Sequence, residues 1–120
     1  MKVFAIRGAI TVAENTEQAI GEASIRLMEE IIDRNDLRVA DVVSIIISST
    51  QDLDAMYPAK AIRMAGFENT PLFSCLEPAI VNSLKRCIRV LVTINEEDTF
   101  KAKHVYLGDS KVLRPDLTKE

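Results

Sequence analysis

The 120-residue chain has no tryptophan, a single histidine, two cysteines, four glycines, four prolines and no long apolar run. Two cysteines, Cys75 and Cys87, without C-x-x-C spacing exclude a disulfide scaffold and make reduced thiols the default. One histidine and two separated cysteines make no recognisable ligand set, so no metal is expected. No apolar stretch approaches the ~20 residues that a membrane-crossing helix needs. The opening M-K-V-F-A-I-R-G carries charge too early for the apolar core of a signal peptide. A net charge of −3 provides no basic field for nucleic acid. These absences lead to the expectation of a cytoplasmic protein with no membrane or nucleic-acid partner, in which any anion site must be local.

What is present is globular. Hydrophobic residues make up 48% and charged residues 28%, enough for one core and short of two domains, so residues 1–120 read as one domain. Residues 2–12 are rich in Val, Ile and Phe and suggest a strand ending near Arg7 and Gly8, where backbone can approach a ligand. Asn15 or Thr16 caps a helix whose apolar stripe is Ile20, Ala23, Leu27, Met28, Ile31 and Ile32, broken at Asn35-Asp36. Residues 42–49 (V-V-S-I-I-I-S-S) read as a buried strand. A loop then leads to a short helix, with Pro58 suited to its first position and Gly66 to the residue after its end. Residues 71–77 read as a third strand, closed by Pro78. Residues 80–86 suggest a short helical turn, and 95–101 a polar loop. Residues 103–107 and 111–113 flank Gly108-Asp109-Ser110 like the arms of a hairpin. The tail, 114–120, is expected to be mobile unless bound.

The most informative stretch is K-R-C-I-R-V-L-V-T-I at 85–94. Alternation puts Cys87, Arg89, Leu91 and Thr93 on one strand face and Ile88, Val90, Val92 and Ile94 on the other, which is all core. Arg89 is either an edge residue snorkelling to water or a cation placed for chemistry. An unpaired buried charge is costly, so something anionic should meet it. The ordinary structural partner is Glu77. The order strand, helix, strand, short helix, then three strands gives an α+β fold, a five-stranded mixed sheet packed on one long helix. The other sheet face is uncovered, and small proteins commonly bury such a face by self-association.

Four segments, A-I-R-G-A-I-T-V at 5–12, D-L-D-A-M-Y-P-A-K-A-I-R at 52–63, K-R-C-I-R-V at 85–90, and K-H-V-Y-L with K-V-L-R-P-D-L across 103–117, together resemble the monofunctional chorismate mutases of the bacterial trimeric class. The resemblance implies a homotrimeric pseudo-α/β barrel with sites between subunits. It also implies the rearrangement of chorismate to prephenate in aromatic amino-acid biosynthesis, without cofactor. By matching positions, it implies that Arg89 meets the ether oxygen and Glu77 accepts the ring hydroxyl. Arg7 and Tyr106 would hold the side-chain carboxylate. Tyr57, Ala59, Lys60 and Arg63 would line the mouth, Phe73, Ser74 and Cys75 one wall, and Leu113 and Arg114 a closing tail. Relative to that family, Ser74 stands where Cys is usual three residues before the glutamate, Pro78 directly follows Glu77, and Tyr57 replaces Phe.

Plainer readings stand beside these. Lys60 and Arg63 make an ordinary solvated helix face, and Tyr106 is a packing residue. His104 is structural, since a pericyclic step needs no proton transfer. Cys75 and Cys87 are expected to be buried thiols acting as small apolar groups. Two other functions remain open at this level: a similarly built trimeric enamine or imine deaminase, and a non-catalytic anion-binding regulatory trimer.

Overall fold

Thr16 starts the helix that organises the core. Its backbone is extended (φ −134°, ψ 157°), and its hydroxyl accepts the Ala19 N–H at 3.1 Å, satisfying one of the donors that a helix start leaves free. In the computed structural model, which describes residues 1–117, helix α1 then runs Glu17–Arg34. Its buried residues, Ile20, Ser24, Leu27, Met28 and Ile31, fall three or four apart and so form one stripe. Ser24 is tolerated in that stripe because its hydroxyl donates to the Ile20 carbonyl at 2.7 Å. Asn35 ends the helix with its side-chain amide. The amide donates to the Ile31 and Lys103 carbonyls and accepts the Lys103 N–H at 2.7 Å, tying the helix end to the segment that enters the last strand.

The stripe lies on a five-stranded sheet of β1 (Lys2–Thr11), β2 (Val42–Ser49), β3 (Leu72–Leu76), β4 (Cys87–Glu96) and β5 (Val105–Leu107), in the order β3-β2-β4-β1-β5. The central pairs, β1 with β4 and β2 with β4, are antiparallel, and the outer pairs, β2 with β3 and β1 with β5, are parallel. The expected mixed sheet against one long helix is therefore the architecture found. Ile6, Ile45, Ile47, Ile88, Val92 and Ile94 face α1 and are almost fully enclosed. Each such side chain contributes about 1.5–3 kcal/mol. A short helix, α2 (Pro58–Met64), opens with Pro58 at its first turn and buries Pro58, Ala61 and Ile62. Among the described residues no helix is long and apolar enough to cross a membrane.

Three local expectations need correction. The first strand does not end near Arg7 and Gly8; it pairs with β4 residue by residue from Lys2 to Thr11. Gly8 is required by the helix above it, because a Cβ there would lie 2.6 Å from Ile31 Cδ1 and 3.0 Å from Val90 Cγ2. Residues 80–86 form bends and a turn rather than a helical turn, with Asn82 (φ 64°) and Arg86 (φ 48°) in the left-handed region. Both Asp52 carboxylate oxygens accept the Arg86 N–H, at 3.0 and 2.9 Å, which holds the chain as it enters β4. The hairpin about residues 108–110 is absent. Gly108 (φ 61°) turns the chain into a 3₁₀ helix, Gly108–Leu113, stitched to β1 by Asp109 N–H donating to Thr11 Oγ1 and Ser110 Oγ donating to the Ala9 carbonyl. The chain stays beside β1 instead of folding back on β5. Of the expected tail, residues 118–120 lie outside the described residues, and 115–117 form a further 3₁₀ turn.

Candidate active site

The sheet face away from α1 carries the charged residues, and strand register decides which of them meet. Directly paired residues share a face. Cys75 pairs with Ser48, Ser48 with Arg89, Arg89 with Ala9, and Ala9 with Tyr106, so these five side chains form one row across all five strands. The neighbouring row holds Phe73, Ile46, Leu91 and Arg7. The alternation expected in β4 is therefore the observed one: Ile88, Val90, Val92 and Ile94 are buried and Arg89 is open to solvent.

Glu77 follows the last residue of β3. Its N–H donates to the Ser49 carbonyl at 2.9 Å, and Pro78, which has no N–H, ends the ladder there. From this position the carboxylate meets Arg89 side-on. Nε donates to Oε1 and Nη2 to Oε2, both at 2.8 Å. Ser48 Oγ donates to Oε1 as well, at 2.5 Å. The hydrogen bond from Arg89 holds the Glu77 carboxyl below its ordinary value; burial opposes this, and Ser48 adds to the lowering. Arg89 is shifted upward by the same pair, so both charges persist across the physiological range. The expected meeting of Arg89 and Glu77 is thus present. Ser48 was missed by the sequence reading; the signal available for it was only its parity, opposite to that of buried Ile45 and Ile47.

The remaining candidates divide. Arg7, Ser48, Arg89, Leu91 and Tyr106 line a hollow of about 200 Å³ on the open face. Leu113 lines an adjoining one with Glu77 and Arg89. Tyr57, Lys60, Ser74 and Cys75 instead line a larger cavity of about 630 Å³ between α2 and β3, which shares no residue with the first. Along β3 the pleat turns Ser74 to the face of Ile47 and Phe73 and Cys75 to that of Arg89, while Ser74 and Cys75 both border the larger cavity at the sheet edge. Cys75 is exposed, contrary to expectation, because it lies on the uncovered face of strand β3, at the sheet edge; Cys87 is buried, and burial pushes its thiol up to about 11. Ala59 packs against the core, and Arg63 is exposed on α2 without lining any of these cavities. Arg114 is forked onto Asp116, Nε to Oδ1 at 3.1 Å and Nη2 to Oδ2 at 2.9 Å. The hydrogen bond from Arg114 holds the Asp116 carboxyl below its ordinary value, with a lesser contribution from the charge of Arg7, which forms no ion pair among the described residues.

His104 supports the site from behind. Its Nδ1 accepts the Arg7 backbone N–H at 2.9 Å, so Nδ1 is unprotonated and the ring holds β1 and β5 together. Desolvation first, and then the charges of Arg7 and Arg114, shift its pKa below the ordinary value. A base whose folded pKa is depressed contributes stability that is complete above its unfolded pKa, about 6.5, and is lost as pH falls through the folded one. His104→Asn keeps an acceptor without a titration. Between about pH 7.5 and about pH 5 its melting temperature is expected to fall less than that of the parent, measured by thermal unfolding.

The sequence pattern of the family described as Chorismate mutase type I matches residues 3–117. The chain belongs to that family. It is 40% identical over 120 residues to chorismate mutase AroH of Bacillus subtilis, covering 98% of this chain and 94% of that one. It is 38% identical over 117 residues to chorismate mutase AroH of Thermus thermophilus, covering 96% of each. A solved chorismate mutase from Clostridium thermocellum superposes with a TM-score of 0.86 at 41% identity, over 91% of this chain and 98% of that one. Type I membership and the full-length likeness favour neither the deaminase nor the non-catalytic alternative.

Proposed function

We propose that this chain is a chorismate mutase, converting chorismate to prephenate, and that Arg89, Glu77, Arg7 and Tyr106 form its reacting half-site. The observation that carries this reading is the side-on pair of Arg89 and Glu77, set in an open hollow beside an arginine without an ion-pair partner among the described residues. The rearrangement is unimolecular and needs no nucleophile. Ether cleavage runs ahead of carbon–carbon bond formation, so negative charge gathers on the ether oxygen and positive charge on the ring.

Two of the five Arg89 N–H donors go to Glu77, and among the described residues the other three have no protein acceptor. Those donors are available to the ether oxygen, where they bind the transition state better than the ground state. Glu77 accepts the ring hydroxyl and lies near the developing positive charge. Arg7 and Tyr106 hold the side-chain carboxylate, so that the substrate is kept in its compact reactive shape.

A hollow of about 200 Å³ is smaller than the ~300–1,000 Å³ of ordinary small-ligand sites. This supports completion of the site by a neighbouring subunit, whose Tyr57, Ala59, Lys60, Arg63, Phe73, Ser74 and Cys75 would supply the mouth and wall, in a homotrimer. Leu113 and Arg114 would close over the substrate once Arg114 leaves Asp116. Residues 1–120 then act as one domain in a cytoplasmic enzyme.

The test is to add chorismate to the purified protein and follow its loss and the appearance of prephenate. Turnover far above the uncatalysed rate is expected. A rate equal to background, or turnover of 2-aminoacrylate in its place, would overturn the assignment.

A further inference from the structure

We propose that Ser48 is a positioning residue for the chorismate reaction, fixing the Glu77 carboxylate so that one defined lone pair is left for the substrate's ring hydroxyl. The inference rests on the role given to Glu77 above. An ionised carboxylate offers about four acceptor positions, two on each oxygen. Oε1 is filled by Ser48 Oγ and Arg89 Nε, and Oε2 has accepted only Arg89 Nη2. One lone pair on Oε2 remains, and its direction is set by the other three bonds.

Arg89 cannot set that direction alone. Its side chain is 49% exposed against 13% for Glu77, and it stands on a long flexible stem. In the reaction its three other donors also serve the charge appearing on the substrate, so its position answers to two partners. Ser48 has a short stem on β2, in the interior of the sheet, directly opposite Arg89 in the ladder. Its neighbour Ser49 accepts the Glu77 N–H. Successive residues of one strand thus hold the glutamate's backbone and its carboxylate, and neither hold depends on the arginine that also serves the substrate. The single proton of the Ser48 hydroxyl is committed to Glu77. Its effect passes through Glu77.

Ser48→Ala and Ser48→Thr separate this role from simple packing. Removing a donor to the charged form raises the pKa of Glu77, so the acid limb of kcat/KM should move to higher pH in the alanine variant. Its kcat should fall by roughly five- to twentyfold with KM changed by less than about threefold, and threonine, which keeps the hydroxyl, should restore kcat to within about threefold. An alanine variant with kcat within about twofold of the parent and an unmoved acid limb overturns the proposal, as does threonine no better than alanine. The Glu77 carboxyl carbon, followed by NMR titration, reads the same bond without turnover. Identical Glu77 titration in parent and Ser48→Ala sinks the Ser48 inference, whereas a parent that does not convert chorismate sinks the mutase reading.

Discussion

Arg89→Lys is expected to lower kcat for chorismate by roughly 10²–10³-fold, the loss typical of removing one donor aimed at developing charge. Net charge is unchanged, so the effect measures geometry. The guanidinium can serve Glu77 through Nε and Nη2 while its far edge faces the ether oxygen. A lysine ammonium is a point charge. Seated on Glu77 it leaves the ether oxygen unmet, and drawn toward the substrate it abandons the glutamate. Fold stability should move little, because an ion pair with one half-exposed partner contributes about 0–1 kcal/mol. Steady-state kinetics beside a thermal melt would check this: a large fall in kcat with a nearly constant melting temperature is the expected pair. A kcat within about tenfold of the parent would make the Arg89–Glu77 contact a structural ion pair.

The same residues show what could be read from the chain beforehand. Pleat parity in β4 is a local property, set by alternating Ile, Val and Arg, so the face of Arg89 was legible. So was the start of α1, because a cap acts on a residue three positions away. Pairing with Glu77 could be anticipated because a cation amid apolar neighbours requires an anion. The role of Ser48 was not legible, since it depends on β2 lying between β3 and β4, a neighbourhood that no local pattern specifies. Gly8 misled for the same reason. As a local signal it reads as a strand end, whereas it accommodates Ile31 and Leu27 of a helix packed across the strand. Gly108 likewise suggests a hairpin, but the Thr11 hydroxyl and the Ala9 carbonyl hold the following turn against β1. Cys75, expected to be buried, is exposed because β3 is the edge strand and its parallel register with β2 turns Cys75 to the open face that carries Arg89, a placement that no local pattern specifies.

Mixing two inactive variants should regenerate activity. Within one chain the candidate residues fall into two cavities with no common lining residue, Arg7, Arg89 and Tyr106 in one and Tyr57, Lys60 and Ser74 in the other. Chorismate carries two carboxylates, so cations from both sets are needed to hold it. Arg89→Lys removes the guanidinium proposed to meet the ether oxygen and leaves the Lys60 half intact; Lys60→Ala does the reverse. If each site joins one half from each of two neighbouring subunits, random assembly of equal amounts gives both intact halves at about one site in four. Co-refolding the two variants should therefore recover about a quarter of the parent's kcat per site, with light scattering reporting three copies per particle. Sites built within single chains would recover nothing beyond the average of the two variants. Because Lys60 is exposed on a helix surface, its loss should leave folding intact, so a failure to complement would count against the shared site and not against the protein's ability to assemble.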